Sequence, residues 1–132
     1  MQLIKMSPKE FTDRLIKGER DFSKINMSRT NFKDYLEDIY KYLLFQDLFK
    51  NPIILNNSDL SFIYAPGLYI PYTKGIGSDF SFSDLRGSEL SGSDFSYANF
   101  FCTNLYGANI IDVNFRNADL RGAKIQYHKG LD

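Results

Sequence analysis

The chain has 132 residues, with 16 lysines and arginines against 16 aspartates and glutamates, 43% hydrophobic residues, a single cysteine and a single histidine. That length allows one core, no apolar run approaches the ~20 residues of a membrane span, and the basic residues are interleaved with acids instead of forming a patch for nucleic acid. One cysteine, Cys102, excludes an internal disulfide and a cysteine-rich metal site.

The apolar opening Met1 to Ile4 is cut short by Lys5, too short for a secretory signal, so the cytoplasm is the default compartment. Residues 7–17 read as a capping helix. Ser7 is placed as N-cap, Pro8 in the first turn, Glu10 completes a capping box and Gly18 follows the end, with Phe11, Leu15 and Ile16 as the apolar stripe.

Residues 18–33 then carry apolar residues at a spacing of five, Phe22, Met27 and Phe32, each preceded by Asp21, Asn26 or Asn31. The next such residue, Leu60, follows Phe32 by 28 positions, which is not a multiple of five, so the spacing predicts an insertion over 34–57. Its first part, Asp34 to Leu44, predicts an amphipathic helix with Tyr35, Leu36, Ile39, Tyr40 and Leu43 on one face. After Leu44 the stripe moves to the other side, with Leu44, Phe45, Leu48 and Phe49, and Pro52 should end any helix.

The main block, 58–127, opens with Leu60 and keeps its phase through 63–77, where Ala65, Ile70 and Gly75 occupy the centres among interrupting prolines and glycines. That stretch is either a degenerate coil or a loop. From Ser78 to Tyr127 ten units follow without a slip, centred on Phe80, Leu85, Leu90, Phe95, Phe100, Leu105, Ile110, Phe115, Leu120 and Ile125. Two residues before each centre the side chain is small in nine units, and the residue just before it is Asp, Asn or Glu in nine.

A period of five suits neither a helix of 3.6 residues per turn nor a strand of period two. A chain that bends every five residues can form a coil with the large and the small residue both inward. With four sides, a coil takes 20 residues, and stacking at about 4.8 Å places residue n under n+20. Phe80, Phe100 and Leu120 would then form one ladder and Leu85, Leu105 and Ile125 another, with Asp, Asn and Gly at the corners. At most about four coils fit, a barrel roughly 20 Å tall.

The units SDFSF, SDLRG, SELSG, SDFSY, ANFFC, TNLYG, ANIID, VNFRN, ADLRG and AKIQY resemble the A(D/N)LXX signature of the pentapeptide-repeat family. The resemblance implies an all-β solenoid, the right-handed quadrilateral β-helix, here with a short N-terminal capping helix and a partly helical insertion in a single domain. Some members of that family mimic duplex DNA and bind DNA gyrase. Mimicry of that kind needs a dense anionic surface, whereas the repeats hold six acids against Arg86, Arg116, Arg121 and Lys124.

Nothing in the chain assembles an active site. Cys102 has no base within its own coil, and the lone His128, in a tail at 128–132, makes neither a triad nor a zinc site. No cofactor, metal, nucleic acid or membrane is expected. The reading is a non-catalytic scaffold for a protein partner, contacted through Tyr35, Leu36, Ile39, Tyr40 and Leu43 of the insertion and a patch of Phe62, Phe82, Phe101 and Tyr106. The insertion either folds back over that patch, the favoured expectation, or projects as an arm that grips a partner, and an uncovered C-terminal coil suggests a homodimer.

Overall fold

The structure, a computed structural model, describes residues 2–126. His128 and the 128–132 tail lie outside the described residues.

The chain winds as a β-helix-type solenoid. Single parallel bridges join Ile54 to Lys74, Asp59 to Asp79, Tyr64 to Asp84 and Tyr69 to Glu89, and the same four rungs recur 20 residues on, up to Asn104 with Lys124. Two backbone bonds build each rung. The centre's amide donates forward, as Phe80 N does to Asn99 O at 2.7 Å, and the residue before a centre donates back, as Asn99 N does to Ser78 O at 2.8 Å. Backbone groups facing the next coil are thereby paired, which is what a buried ladder needs.

Large and small inward positions fill the core together. The centres from Phe80 to Leu105 are buried to 1% exposure or less, each side chain contributing about 1.5–3 kcal/mol. Phe80 stacks on Phe100 at 5.3 Å with planes 9° apart, and Phe95 meets both edge-on. Small residues close the ladder chemically as well: the Ser83 hydroxyl donates to Leu60 O at 2.7 Å and accepts from Ile63 N at 3.0 Å. Ile110, Phe115 and Leu120 are only half-buried and Ile125 is exposed, because no described coil lies over them.

Corners follow a strict local rule. The Asp or Asn before the centre accepts a hydrogen bond from the amide two residues on, as Asn99 Oδ1 does from Phe101 N at 2.9 Å. The next residue turns through the left-handed region, and ten non-glycine residues do so with φ between 55° and 61°. L side chains pay about 1–2 kcal/mol there, so the tight corner is kept against local preference.

Residues 63–77 keep this geometry despite their sequence. Tyr64 and Tyr69 stand where the acceptor belongs, and the amide that would need it is deleted in both cases, by Pro66 and Pro71. Lys74 offers no acceptor either, and Ile76 N instead donates to the Asn56 side chain one coil below at 2.9 Å. Inside, Ile63 and Ala65 exchange the usual small and large positions, and both are buried. At Gly75 the missing side chain makes room for Phe95: a Cβ there would lie 2.4 Å from the Phe95 ring.

The insertion is shorter at its far end than the spacing implied. Ile54 already bridges both Asp21 and Lys74, so the coil resumes at Ile53 and not after Asn57. Ile53 and Leu55 face inward at 0% and 1% exposure, but Ile54 stands where the acidic or amide residue belongs, so the unit carries no repeat signature. The first-coil rungs span 33 residues, as from Asp21 to Ile54, against 20 elsewhere, an excess of 13 (33 less 20). Added to the residues that would have formed a fourth face, this excess makes up the insertion, and no first-coil residue bridges Tyr69.

Below that coil, β1 (Ile4–Lys5) pairs in parallel with β2 (Ile25–Asn26), an extra rung that the sequence did not signal. Helix α1 (Pro8–Ile16) starts at Ser7, whose hydroxyl accepts from Glu10 N at 3.1 Å. Phe11 and Leu15 are buried, with the Phe11 ring 4.6 Å from that of Phe22, whereas Ile16 is exposed. The helix is a lid on the first coil.

Candidate interaction surface

Within the insertion, α2 (Leu36–Leu43) buries Ile39 and Leu43 completely and packs Tyr35 and Leu36 partly against the core. Of the five residues expected to offer a contact surface, Ile39 and Leu43 are thus part of the fold's own interior, and Tyr35 and Leu36 are half-buried against it. Tyr40 alone stays at the surface, its ring edge-on to Tyr69 at 5.1 Å. The helix stops where the stripe shifts: Leu44 closes it, and a turn follows.

That turn carries the most exposed apolar residues of the insertion. Leu48 points inward at 4% exposure, while Phe45 and Phe49 stand 85% and 75% exposed beside Leu44. Phe49 is held edge-on to Tyr72 at 5.5 Å, and the Tyr72 ring lies so close over Gly92 that a Cβ there would meet it at 2.5 Å. The shift of the stripe after Leu44 was the signal for Phe45 and Phe49. An apolar ridge of Tyr40, Leu44, Phe45, Phe49 and Tyr72 results. Burial, followed by the nearby Glu89 carboxylate, raises the pKa of the Tyr69 phenol beneath Tyr40.

The insertion does not cover the Phe62 and Phe82 patch. Its aromatic contacts go to Tyr69 and Tyr72 on the fourth face, and Phe62, Phe82 and Tyr106 remain exposed, with Phe101 half-buried. The patch satisfies itself instead. Phe62 stacks on Phe82 at 4.8 Å and 11°, Phe82 meets Phe101 at 5.5 Å, and Arg29 and Arg121 close the column at 4.3 Å and 5.4 Å from the end rings. Each such contact contributes about 0.5–1.5 kcal/mol, and the stacked ring faces are no longer free for a ligand. Tyr106 lies outside this column of contacts.

Arg20 was invisible to the repeat pattern. It occupies a small-residue position, two before Phe22, yet sends its guanidinium into the junction between α1 and the insertion. Phe22 sits beneath a second cation, Arg14, at 5.6 Å.

Surface charge is partly cancelled within the repeats. Arg86 bridges Asp84 at 2.6 Å and Arg121 bridges Asp119 at 2.8 Å, and the hydrogen bond from each guanidinium is the first cause that lowers its partner's carboxylate pKa. Cys102 is exposed at a corner, and among the described residues no group of histidine, cysteine and carboxylate side chains could hold a metal. No helix of the described residues is long and apolar enough to cross a membrane.

A family model of pentapeptide repeats matches residues 76–109 and 98–129. Among solved structures, the chain is similar to the pentapeptide repeat protein Rfr23 from the cyanobacterium Cyanothece 51142, with 22% identity over 80% of this chain and 60% of that one and a TM-score of 0.35. Against trypsin-treated QnrB1, a plasmid-mediated fluoroquinolone resistance protein, identity is 16% over 80% and 50%, with a TM-score of 0.44. Against alr5209, a pentapeptide repeat protein from Nostoc PCC 7120, it is 23% over 96% and 80%, with a TM-score of 0.41. The chain thus spans 60% and 50% of the length of the first two. No curated protein sequence matches it. With its five-residue units, its 20-residue rungs and this family match, the repeat segment of the chain belongs to the pentapeptide-repeat family.

Proposed function

We propose that the chain is a non-catalytic, cytoplasmic protein-interaction scaffold, a right-handed quadrilateral β-helix that presents the ridge of its insertion to a protein partner. The observation that carries this reading is the pair Phe45 and Phe49, 85% and 75% exposed on a segment anchored by the buried Ile39, Leu43 and Leu48. Two large apolar side chains exposed four residues apart on an anchored segment mark a contact site more strongly than singly scattered ones. The Phe62 column serves stability, since its ring faces are already occupied.

Affinity capture with the intact protein and with a Phe45→Ser, Phe49→Ser variant tests this. The partner should be retained by the first and lost from the second, with unchanged circular dichroism. Equal capture by both would refute the ridge.

A DNA-like inhibitor or protector of gyrase is less well supported. Two of the six carboxylates of the repeats are neutralised by their own neighbours, Asp84 by Arg86 and Asp119 by Arg121, which thins an already sparse anionic surface. A supercoiling assay with the purified protein addresses it: altered gyrase activity or drug protection would displace the scaffold reading. A homodimer through the last coil is a further proposal, supported by the half-buried Ile110, Phe115 and Leu120. Light scattering decides it, a monomer counting against it.

A further inference from the structure

Arg20 is 9% exposed and uses its whole guanidinium. Nε donates to Asn51 O at 3.2 Å, Nη1 to Leu15 O at 3.3 Å and Glu19 O at 3.0 Å, and Nη2 to the Tyr42 hydroxyl at 3.2 Å and Gln46 Oε1 at 3.4 Å. All five acceptors are neutral, and Arg20 forms no ion pair among the described residues. Its charge is compensated by the carbonyl end of α1, where Leu15 O lies in the last turn, and by the Tyr42 ring, whose centroid is 5.5 Å from the guanidinium carbon.

The acceptors fall into two groups that the chain separates. Leu15 and Glu19 belong to α1 and its exit, whereas Tyr42, Gln46 and Asn51 belong to the insertion. Each group is otherwise held by apolar burial, Phe11 and Leu15 in α1 and Ile39, Leu43 and Leu48 in the insertion, and the polar contacts of Arg20 span both. The lid helix has nine residues, α2 has eight, and α2 begins at Tyr35 without a side-chain cap. Under the insertion, the solenoid is short of one rung: Tyr69 bridges forward to Glu89 but to no residue of the first coil.

We propose that Arg20 is the latch of a two-part lid, which closes α1 and the insertion together over the end of the solenoid and the free edge at Tyr69. The physical basis is the unpaired charge. When the insertion lifts, the guanidinium loses three of its five acceptors, and when α1 lifts it loses Leu15 O, in each case while still desolvated against the other part; a buried cation stripped of hydrogen bonds is strongly disfavoured. Opening either part therefore destabilises the other, and the two open as one unit. The proposal stands apart from the interaction reading, because its readout is backbone opening and not partner capture.

Hydrogen exchange by mass spectrometry, on the wild-type chain and on Arg20→Met, tests it. Methionine keeps much of the aliphatic stem and removes every donor. Amides bonded within residues 35–51, such as Ile39 N to Tyr35 O and Asn51 N to Asp47 O, should exchange about tenfold faster or more. Amides at the end of α1, Lys17 N, Gly18 N and Glu19 N, should accelerate by a similar factor, while those of Phe80, Phe100 and Leu105 keep their rates. Acceleration of only one segment, of neither, or of the distant coils as well would overturn the latch. If Arg20→Met does not fold, Tyr42→Phe with Gln46→Ala decides: the same two segments should respond by a smaller factor, and a response confined to the insertion refutes the coupling.

Discussion

Gly75 stands where every unit from Ser78 onward has Phe, Leu or Ile, and Gly75→Ala should therefore look like a repair. The structure predicts the opposite. The added Cβ would lie 2.4 Å and 2.5 Å from Cε1 and Cδ1 of Phe95 and 3.1 Å from Ser78 Oγ. The ring would have to move by about an ångström to reach ordinary contact, and it is held by Phe80 at 5.6 Å and Phe100 at 5.2 Å. Overpacking of this kind costs about 1–3 kcal/mol, against which the reduced freedom of the unfolded chain returns about 0.4–1 kcal/mol.

A net loss of about 1–2 kcal/mol follows, or a fall in Tm of about 4–8 °C for a chain of this length. Thermal and urea unfolding of Gly75→Ala, Phe95→Leu and the double variant measure it. The double variant should be more stable than the sum of the singles by about 1 kcal/mol, because the smaller side chain admits the Cβ. A neutral or stabilising Gly75→Ala would show that residues 63–77 do not pack as a regular coil, and the account of that segment would fail.

Ser58→Ala should cost about 1–3 kcal/mol, since the buried hydroxyl accepts from Ile25 N at 3.1 Å and donates to Phe22 O at 2.9 Å, and both groups would be orphaned; urea denaturation measures it. Asp84 and Asp119 have lowered folded-state pKa values, through their arginines first. Such carboxylates add stability above their unfolded pKa, near 3.9, and lose it as pH falls through the lower folded value. Stability should therefore decline below about pH 4, and Asp84→Asn with Asp119→Asn should flatten that part of the profile. An acid limb that is unchanged in the double variant would contradict this assignment.

The ladders were legible because each rung needs the same three chemistries, a large inward side chain, a small one and an acceptor before the corner, and the chain spells them out every five residues from Ser78. What escaped was substitution by equivalent means. Ile53–Leu55 makes a full face without an acceptor, and Pro66 and Pro71 remove a donor where Tyr64 and Tyr69 supply no acceptor, so a signature built on Asp and Asn passes over them. The helical stripe of the insertion was read from its period, but period cannot say whether an apolar face is interior or contact surface. Ile39 and Leu43 proved interior, and the ridge lay in the residues just beyond, where the stripe changes side. Arg20 could not be found from pattern, because its partners are three separate carbonyls and two side chains brought together only by folding.

The central claim is that the solenoid is a support and that the 13-residue excess in its first coil carries the contact with a partner. Affinity capture followed by cross-linking mass spectrometry, using the intact chain beside one with those residues removed to restore the 20-residue coil, tests it most directly. The account predicts a partner cross-linked near Phe45 and Phe49 in the intact chain and absent from the shortened one, with the distant coils still protected from exchange. A partner captured equally by both, or cross-linked to the faces of the later coils, would contradict it.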